Sequence, residues 1–397
     1  MGAVPERAEF EGNVVARRVG EYLGGQQEAF VRFLETLAAL ESPSMEPATL
    51  EPVFALLTDA LRRLEYHVIR MPGKQTAGYL FARPRQRKRG QACQLVLGHC
   101  DTVWPLGTIH RMPVRVEDGL LRGPGVFDMK GGLTQIIFAL QALHDLELEP
   151  ALTPVILFTS DEEIGSPESR RHIERLARVV DRALVPEPSL GLSGKIKTAR
   201  KGIGEYEVVI KGKPAHAGLE PEKGASAILE LSYVVQKLFA LNDHPKGISV
   251  NVGTVEGGIS SNIIAPESRL SVDVRVPTID DARMIDTAIR TLETTTPGVT
   301  LHIDGGINRG PMERTPRNQA LWTVCRQVGS LLGLDLEEGA SGGASDGNFT
   351  SLYTATLDGL GPVGDGAHRF REFIHIEHTL ERCALLTLLL LAPPVQG

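Results

Sequence analysis

The chain has 397 residues, with 42 Lys and Arg against 49 Asp and Glu, which gives a formal net charge of −7. A single hydrophobic core rarely extends beyond about 250–300 residues, so this length predicts two domains. Hydrophobic residues make up 42% of the chain and charged residues 23%, which excludes coiled-coil, collagen-like and disordered proteins. The acidic balance argues against a nucleic-acid partner, because such proteins need clustered Lys and Arg to displace counterions.

Signals for secretion or membrane insertion are not apparent in the sequence. The first stretch, MGAVPERAEFEGNVV, mixes charges and has no apolar segment of the kind a signal peptide needs. The most apolar run, ALLTLLLLA, is far shorter than the ~20 residues that span a bilayer, and we expect a buried final helix there. The four cysteines form no Cys-x-x-Cys pair, so a disulfide framework is not indicated. We expect a cytoplasmic protein with no membrane partner.

The first 200 residues predict an α/β domain. Apolar residues follow helical spacing in FVRFLETLAAL and VFALLTDALRRL, within the first 65 residues. Strand-like runs then alternate with helices: the strands are CQLVLGH, VILFTS and RALVPE, and the helices are TQIIFALQALHDL and ESRRHIERLARVV. This alternation predicts a mostly parallel sheet covered by helices.

A different pattern begins near residue 201. The segments EYEVVIKG, SVNVGTV, RLSVDVRVP and TLHIDGG read as half-buried strands, and helical segments lie at 225–241 and 280–295. Strands with one polar face are typical of an antiparallel sheet covered on one side. We therefore expect an inserted α+β domain at residues 201–308, with residues 1–200 and 309–397 forming the main domain.

Residue types that ligate metals recur where the predicted strands end. They are His99, Asp101, Asp128, Glu162, Glu163, Glu187 and His375. Taken singly, each has a structural explanation, such as a capped turn or a helix N-terminus. In open α/β sheets, however, ligands bind at the carboxyl ends of the strands, and this whole set is better explained by a metal site.

The chemistry of two divalent ions calls for this set. Ions about 3.5–4 Å apart need nitrogen and oxygen ligands and a carboxylate that both share. The neighbouring pair Glu162–Glu163 can divide its roles, with one carboxylate on a metal and the other acting as a general base. Asp101, two residues after His99, is placed to accept the second ring N–H of that histidine.

Six features in chain order resemble the co-catalytic dizinc peptidase and deacylase family: GHCDTV, RGPGVFDMKGG, SDEEIGS, VPEPS, GKPAHAG and the late His375. The family includes glutamate carboxypeptidase, acetylornithine deacetylase and succinyl-diaminopimelate desuccinylase. The resemblance extends from Gly98 to His375. It implies that the main domain is the catalytic metal-binding domain, that residues 201–308 form a lid or dimerisation domain, and that the protein is a homodimer.

The resemblance also implies a set of metal ligands. Asp128 would bridge two ions, and His99 and Glu187 would be terminal ligands of opposite ions. Glu163 and His375 would each complete one site. The Asp128–Met129 peptide would be cis. Zinc is the default for these ligand types, and cobalt or manganese would also fit.

Three catalytic residues follow from the same resemblance. Glu162 is the general base for a water that bridges the two ions, and Asp101 orients His99. His216, in GKPAHAG, reaches the oxyanion of the scissile carbonyl, often from the partner subunit. Substrate contacts are expected from Asn262, Arg275, Arg309 and Ser345, because substrates of the family generally carry a carboxylate beside the scissile amide.

The expected function is metal-dependent hydrolysis of an amide bond next to a carboxylate, in a small amino-acid or peptide substrate, as in glutamate carboxypeptidase. An N-acyl-amino-acid deacylase, such as acetylornithine deacetylase or succinyl-diaminopimelate desuccinylase, is the alternative. The motif GASDG at 343–347 fits the G-x-S-x-G of serine hydrolases, but the preceding LEEGASG does not predict the strand that such a motif needs. A non-catalytic metal-binding protein is disfavoured because both Glu162 and His216 are present.

Overall fold

The chain divides into two compact units in the computed structural model, which describes residues 4–394, with side chains from residue 12 onward. The first unit consists of the chain up to Thr198, Arg314–Ala340 and the residues from Ser345 onward. The second consists of Ala199–Glu313 and the short segment Ser341–Ala344. The second unit therefore extends slightly beyond the expected 201–308 and includes a segment that is distant in sequence.

The regular elements are as follows. The helices are α1 (Val4–Gly25), α2 (Gln27–Ala39), α3 (Pro47–Arg63), α4 (Gly131–Asp145), α5 (Arg170–Ala177), α6 (Ala227–Phe239), α7 (Ile279–Arg290), α8 (Pro316–Leu331), α9 (Gly347–Ser351) and α10 (Ile376–Leu391). The strands are β1 (Tyr66–Met71), β2 (Tyr79–Pro84), β3 (Cys93–His99), β4 (Arg115–Glu117), β5 (Leu120–Arg122), β6 (Thr153–Thr159), β7 (Arg182–Val185), β8 (Ile196–Arg200), β9 (Gly202–Lys211), β10 (Ser249–Gly257), β11 (Glu267–Val276), β12 (Thr300–Arg309), β13 (Glu338–Ser341), β14 (Ala355–Asp358), β15 (Gly364–Asp365) and β16 (Phe373–His375).

The large sheet has the strand order β1–β2–β6–β3–β7–β14–β8–β13. Its centre is parallel, because β3 pairs in parallel with β6 and β7, and β7 pairs in parallel with β14. The pairs β1–β2, β2–β6 and β14–β8 are antiparallel, so the sheet as a whole is mixed. The expected α/β class is confirmed, and the parallel pairing is concentrated in the middle of the sheet.

Apolar side chains cover both faces of this sheet. On β3, Val96 belongs to the core packed by the helices α1–α4, α8 and α10, whereas Leu95 and Leu97 belong to the opposite core, with Ile173 of α5 and Phe349 of α9. This alternation is the period-2 pattern of a strand buried on both faces. Because β3, β6 and β7 are parallel, the residues that follow them lie at one edge of the sheet.

A small antiparallel sheet, β15–β16–β5–β4, was not expected from the sequence. In it Ile374 of β16 pairs with Leu121 of β5. The loop 366–372 connects β15 and β16, and β5 leads directly into the turn that contains Asp128. The small sheet thus joins two segments that lie far apart in the sequence.

The second unit has an antiparallel sheet in the order β10–β11–β9–β12. Leu270, Val272, Val274 and Val276 alternate along β11 and are buried, as their spacing predicts. They pack in one core with apolar residues of α6 and α7. The expected inserted antiparallel α+β domain is confirmed in architecture.

The final helix, α10, is buried along most of its length, as the sequence predicts. The Arg182 guanidinium donates hydrogen bonds to the carbonyls of Leu389, Ala392 and Pro393, and so caps its carboxyl end. Within residues 4–394, no helix combines the length and the apolar character that a membrane span requires.

Candidate metal centre and active site

His99 is the last residue of β3, and its buried side chain is held in one orientation. The ring Nδ1 lies 3.0 Å from the carbonyl oxygen of Asp101 and 3.4 Å from its carboxylate Oδ1. The opposite ring nitrogen, Nε2, faces Asp128 and Glu187. The chain therefore fixes Nδ1 through Asp101 and leaves Nε2 available as a ligand, which is the arrangement expected of a metal-binding histidine.

Asp128 lies in a tight turn, Val126–Lys130, that precedes α4. The Asp128–Met129 peptide is cis, as the resemblance implied. The two carboxylate oxygens of Asp128 face different histidines: Oδ1 is 3.3 Å from His99 Nε2, and Oδ2 is 3.4 Å from His368 Nε2. One carboxylate thus lies between two imidazoles, which is the position of a bridging ligand.

Glu187 and Glu163 each accompany one of these histidines. Glu187, just after β7, has Oε1 at 3.3 Å from His99 Nε2. Glu163, in the short helical turn after β6, has Oε2 at 3.3 Å from His368 Nε2. The shortest distances therefore define two sets of candidate ligands that share Asp128: the first adds His99 and Glu187, and the second adds Glu163 and His368. His99 and Glu187 belong to the same set, which differs from their expected assignment to opposite ions.

Glu162 is buried next to the first set. Its Oε2 lies 4.0 Å from His99 Nε2, further than the 3.3 Å of Glu187. The backbone N–H groups of Glu162 and Glu163 both donate to the Asp101 carboxylate, at 3.4 and 3.2 Å. Ser44 Oγ donates to the same carboxylate at 2.7 Å. Asp101 therefore orients His99 and the Glu162–Glu163 turn together.

The spacing of these atoms fits a divalent metal ion. Ligands placed about 2.0–2.2 Å from a tetrahedral zinc ion lie about 3.3–3.6 Å from one another. The distances of 3.3–3.4 Å around Asp128 fall in this range. Two groups also have ligand atoms that all lie within 4.8 Å of one another: His99, Asp128 and Glu163; and His99, Glu162 and Glu187.

A buried oxygen of Glu163 supports the same fit. Glu163 Oε1 has no hydrogen-bond partner among the described residues, although it is inaccessible to solvent. Burying a carboxylate oxygen without a donor costs free energy unless a cation or a hydrogen bond satisfies it. The residues present are therefore capable of holding a metal ion at this oxygen.

The electrostatics of the cluster favour positive charge. Burial lowers the pKa of His99, but its hydrogen bonds to Asp101, Asp128 and Glu187 raise that pKa well above its ordinary value. Hydrogen bonds to Asp128 and Glu163 raise the pKa of His368 to about 10. Burial and the charge of Asp128 raise the pKa of Glu163 to about 7. A divalent cation at this site competes with these protons.

The structure brings His368, and not the expected His375, to this cluster. His375 belongs to the short strand β16, where it pairs with Leu120, and its ring packs against Phe373 and His378. The strand holds the His375 ring against Phe373 and His378, whereas the loop before β16 places His368 Nε2 at 3.4 Å from Asp128 Oδ2. His368 has a left-handed backbone, with φ +59°, which is uncommon for a residue with a side chain and is often found at functional sites.

His368 was missed because the sequence GAHRFREFIHIEH contains two candidates. The segment FIH has a strand pattern, and an apolar residue on each side of a histidine is typical of pairing within a sheet. The preceding GDGAH has the Gly and Asp content of a loop. Since ligands are presented by loops at the ends of strands, this contrast was the available signal.

The second unit brings His216 and Asn262 together. The two segments pair at His216 and Ile263, and Ala217 N–H donates to the carbonyl of Asn262. His216 is exposed, and its Nδ1 accepts hydrogen bonds from the backbone N–H of Gly218 and Leu219 at 3.1 and 3.2 Å. With Nδ1 as acceptor, the ring proton of the neutral histidine is on Nε2, so His216 presents a donor.

Arg275 and Arg309 lie at the other end of the same sheet. Both pair with Ile203, near the start of β9, whereas His216 follows the end of β9 at Lys211. At ~3.3 Å per residue, the strand from Ile203 to Lys211 spans about 26 Å, and His216 lies five residues beyond Lys211. Arg275 also donates to Asp273 through Nε and Nη2, at 2.9 and 2.8 Å.

Ser345 is fully buried in the first unit. Its Oγ donates to Asp358 and accepts from the backbone N–H of Gly347. Its backbone N–H donates to Asn348 Oδ1 at 3.0 Å. These contacts give Ser345 a role in holding the loop before α9, and its expected substrate contact stays a prediction. The expectation that no strand precedes GASDG is wrong, because β13 (Glu338–Ser341) ends two residues before it. The serine-hydrolase alternative still loses support, because the Ser345 hydroxyl is inaccessible.

The fold and the cluster together are those of a metal-dependent hydrolase: an α/β domain with histidines and carboxylates at one sheet edge, and an inserted antiparallel domain. The family model described as "Peptidase family M20/M25/M40" matches residues 95–392. The chain belongs to this family and is a metal-dependent hydrolase of amide bonds.

Individual relatives agree with this assignment. Carboxypeptidase G2 of Pseudomonas sp. is 29% identical over 357 residues, which cover 86% of this chain and 84% of the relative. A succinyl-diaminopimelate desuccinylase of Xanthomonas oryzae pv. oryzae is 26% identical over 309 residues, covering 72% and 80% of the two chains. The crystal structure of aminopeptidase PepT from Bacillus cereus shares the fold, with a TM-score of 0.73 at 19% identity, over 92% of this chain and 98% of that one.

Proposed function

We propose that the protein uses two zinc ions to hydrolyse an amide bond next to a carboxylate, with glutamate on the amine side of the bond. The observation that carries the two-ion proposal is the position of Asp128, whose two oxygens face His99 and His368 separately. His99 and Glu187 would complete one site, and Glu163 and His368 the other. Cobalt or manganese would suit the same ligands.

When bound, the two ions would polarise the scissile carbonyl and lower the pKa of a water molecule between them. Glu162 is the residue of the chain that accepts a proton from this water and returns it to the leaving amine. Its burial and its 4.0 Å distance from His99 Nε2 suit a carboxylate that is close to the ions without being the nearest ligand. Asp101 holds the imidazole of His99 and the turn of Glu162 in fixed positions relative to each other.

His216 supplies a hydrogen bond to the developing oxyanion. Its Nδ1 already accepts two backbone N–H groups, which leaves Nε2–H as the donor that such a role needs. Asn262, whose segment pairs with that of His216, is the accompanying polar contact for the substrate. Arg275 or Arg309 would bind a carboxylate at a distance from these two residues.

A homodimer is part of this proposal. Because Arg275 and Arg309 pair near the start of β9 and His216 follows its other end, about 26 Å along the strand, a small substrate that contacts both groups needs one of them from a second copy. Exposed apolar side chains near the edge strand β10 would favour such pairing; they are Ile228, Leu229, Val255 and Ile259. A cytoplasmic location is proposed as well, supported by the four free cysteines.

His216→Ala should lower kcat by about 10²–10³-fold and leave the metal content unchanged, because it removes one oxyanion donor. The kinetics are measured by amine release, and the metal by elemental analysis. Mixing the His216→Ala and Glu162→Gln chains should restore part of the activity, since one site of a mixed dimer would then have both residues. Loss of metal in His216→Ala, or a wild-type kcat, would contradict the role in oxyanion binding.

The function itself is tested with N-acyl amino acids that carry glutamate, aspartate, ornithine or an aliphatic residue. Each is assayed by amine release with metal-loaded and chelator-treated protein. The proposal expects metal-dependent release that is fastest for glutamate. Metal-dependent release that favours ornithine or aliphatic residues would transfer the assignment to an N-acyl-amino-acid deacylase, a class to which the desuccinylase relative belongs by name. Full activity after confirmed metal removal would refute the metal-dependent mechanism.

A further inference from the structure

We propose that Glu372 is a positioning residue that aligns Asp128 and the His368 loop for metal binding. The inference rests on the proposed two-ion function. It concerns a residue that is neither a metal ligand nor a catalytic residue in that proposal. Glu372 lies in the loop 366–372, four residues after His368, and its side chain is completely buried.

The carboxylate of Glu372 accepts four hydrogen bonds. Oε1 accepts from the backbone N–H of Phe127 and Asp128 at 2.9 and 3.0 Å. Oε2 accepts from the backbone N–H of Gly125 at 2.9 Å and from Trp104 Nε1 at 3.0 Å. Each oxygen thus has two N–H donors, a geometry that an ionised carboxylate satisfies and that a neutral side chain cannot reproduce.

These hydrogen bonds connect three segments of the candidate site. Gly125, Phe127 and Asp128 belong to the turn of the bridging carboxylate, and Trp104 lies three residues after Asp101. Glu372 is itself tied to the His368 loop, because its backbone N–H donates to the carbonyl of Arg369 at 3.0 Å. A displacement of Glu372 would therefore move Asp128 relative to His368.

Packing alone does not explain a carboxylate at this position. Burying a charged group is costly unless donors are arranged around it. An apolar side chain would fill the same volume but would leave these four N–H donors without an acceptor. The four donors all point at Glu372, and three of them are backbone groups of the turn that presents Asp128. The residue is thus placed to fix the orientation of the shared ligand.

The test compares Glu372→Gln with Glu230→Gln as a matched control. Glu230 is also fully buried, and it accepts hydrogen bonds from the backbone N–H of Thr295 and Thr296, but it belongs to the inserted unit. In each variant an NH₂ group replaces an oxygen that accepts N–H donors. Both variants should therefore lose thermal stability, and only Glu372→Gln should lose metal affinity.

Metal binding to the full chain is measured by competition with a coloured zinc chelator. Glu372→Gln should bind zinc about 10–100-fold more weakly than the wild type, as expected when a partner outside the ligand set is lost. Its kcat should recover at saturating zinc, with KM unchanged. Trp104→Phe removes one donor while keeping an aromatic ring beside Phe370, and it should weaken zinc binding in the same direction by less.

The inference is overturned if Glu372→Gln binds zinc as tightly as the wild type, or if Glu230→Gln weakens zinc binding equally. If Glu372→Gln does not fold, Trp104→Phe decides, and unchanged zinc affinity in that variant contradicts the proposal. A wild-type chain that binds no zinc would instead refute the proposed function. The two failures are therefore distinguishable.

Discussion

Glu162→Gln should lower kcat by about 10²–10⁴-fold while the metal content stays at the wild-type level. The carboxylate is buried beside the cluster, and its nearest oxygen lies 4.0 Å from His99 Nε2, whereas Glu187 and Asp128 approach that atom to 3.3 Å. Glutamine keeps the size of the side chain but cannot accept the proton. We expect kcat from amine release to fall and the number of zinc ions per chain, from elemental analysis, to be unchanged.

Glu163→Gln is the matched control for this prediction. It changes the neighbouring residue in the same turn, but Glu163 Oε2 is 3.3 Å from His368 Nε2 and Oε1 is buried without a described hydrogen-bond partner. We expect this variant to bind one ion more weakly and to recover part of its activity in excess metal. If Glu162→Gln lost metal and Glu163→Gln kept it, the roles of the two neighbours would be reversed.

The second large effect separates His368 from His375. Loss of a residue that only hydrogen-bonds to a metal ligand typically weakens metal binding about 10–100-fold. His368→Ala should weaken it by more than this, and activity should fall as well. The variant removes the imidazole that faces both Asp128 Oδ2 and Glu163 Oε2. His375→Ala should leave zinc affinity and kcat close to the wild-type values, because its ring contacts Phe373 and His378 instead.

Zinc affinity by chelator competition and kcat at saturating zinc are the two measurements for this pair. Circular dichroism confirms that both variants fold. Weak zinc binding in His375→Ala together with normal binding in His368→Ala would contradict the geometry described above. If both variants bound zinc as tightly as the wild type, the proposed second zinc ion would be refuted.

The sequence was most informative where an element is long and strongly patterned. The alternation in β11 and the apolar runs of β3, β6 and β7 follow directly from burial, so these strands were predicted together with the residues at their ends. That placed His99, Glu162, Glu163 and Glu187 at one sheet edge. Asp128 was also among the ligand-type residues, but its turn has no periodic pattern, and only the resemblance gave it the role of a bridging ligand.

Short elements held by distant partners were not predictable in the same way. The strands β15 and β16 are two and three residues long, and they exist because β5 pairs with β16. Their pairing places His368 and not His375 beside Asp128. The loop composition of GDGAH was a local signal for this choice, but strand propensity does not determine the pairing of such short strands. The four hydrogen bonds of Glu372 likewise depend on contacts more than 200 residues apart in sequence.

The substrate residues show a further limit of sequence reasoning. Arg275 was considered because an arginine on a strand can present two N–H groups to a carboxylate. Arg275 lies beside Asp273 because residues two apart on one strand share a face. Its position at the end of β9 opposite to His216, in contrast, depends on how β9 and β11 align. The distance between sites in one sheet becomes known only when the register is known.

The most direct test of the two-ion cluster is anomalous X-ray diffraction at the zinc edge, on crystals of the full wild-type chain grown with zinc. We expect two peaks close to Asp128, one next to His99 and Glu187 and the other next to Glu163 and His368. A single peak, or a peak beside His375 with none beside His368, would contradict this expectation.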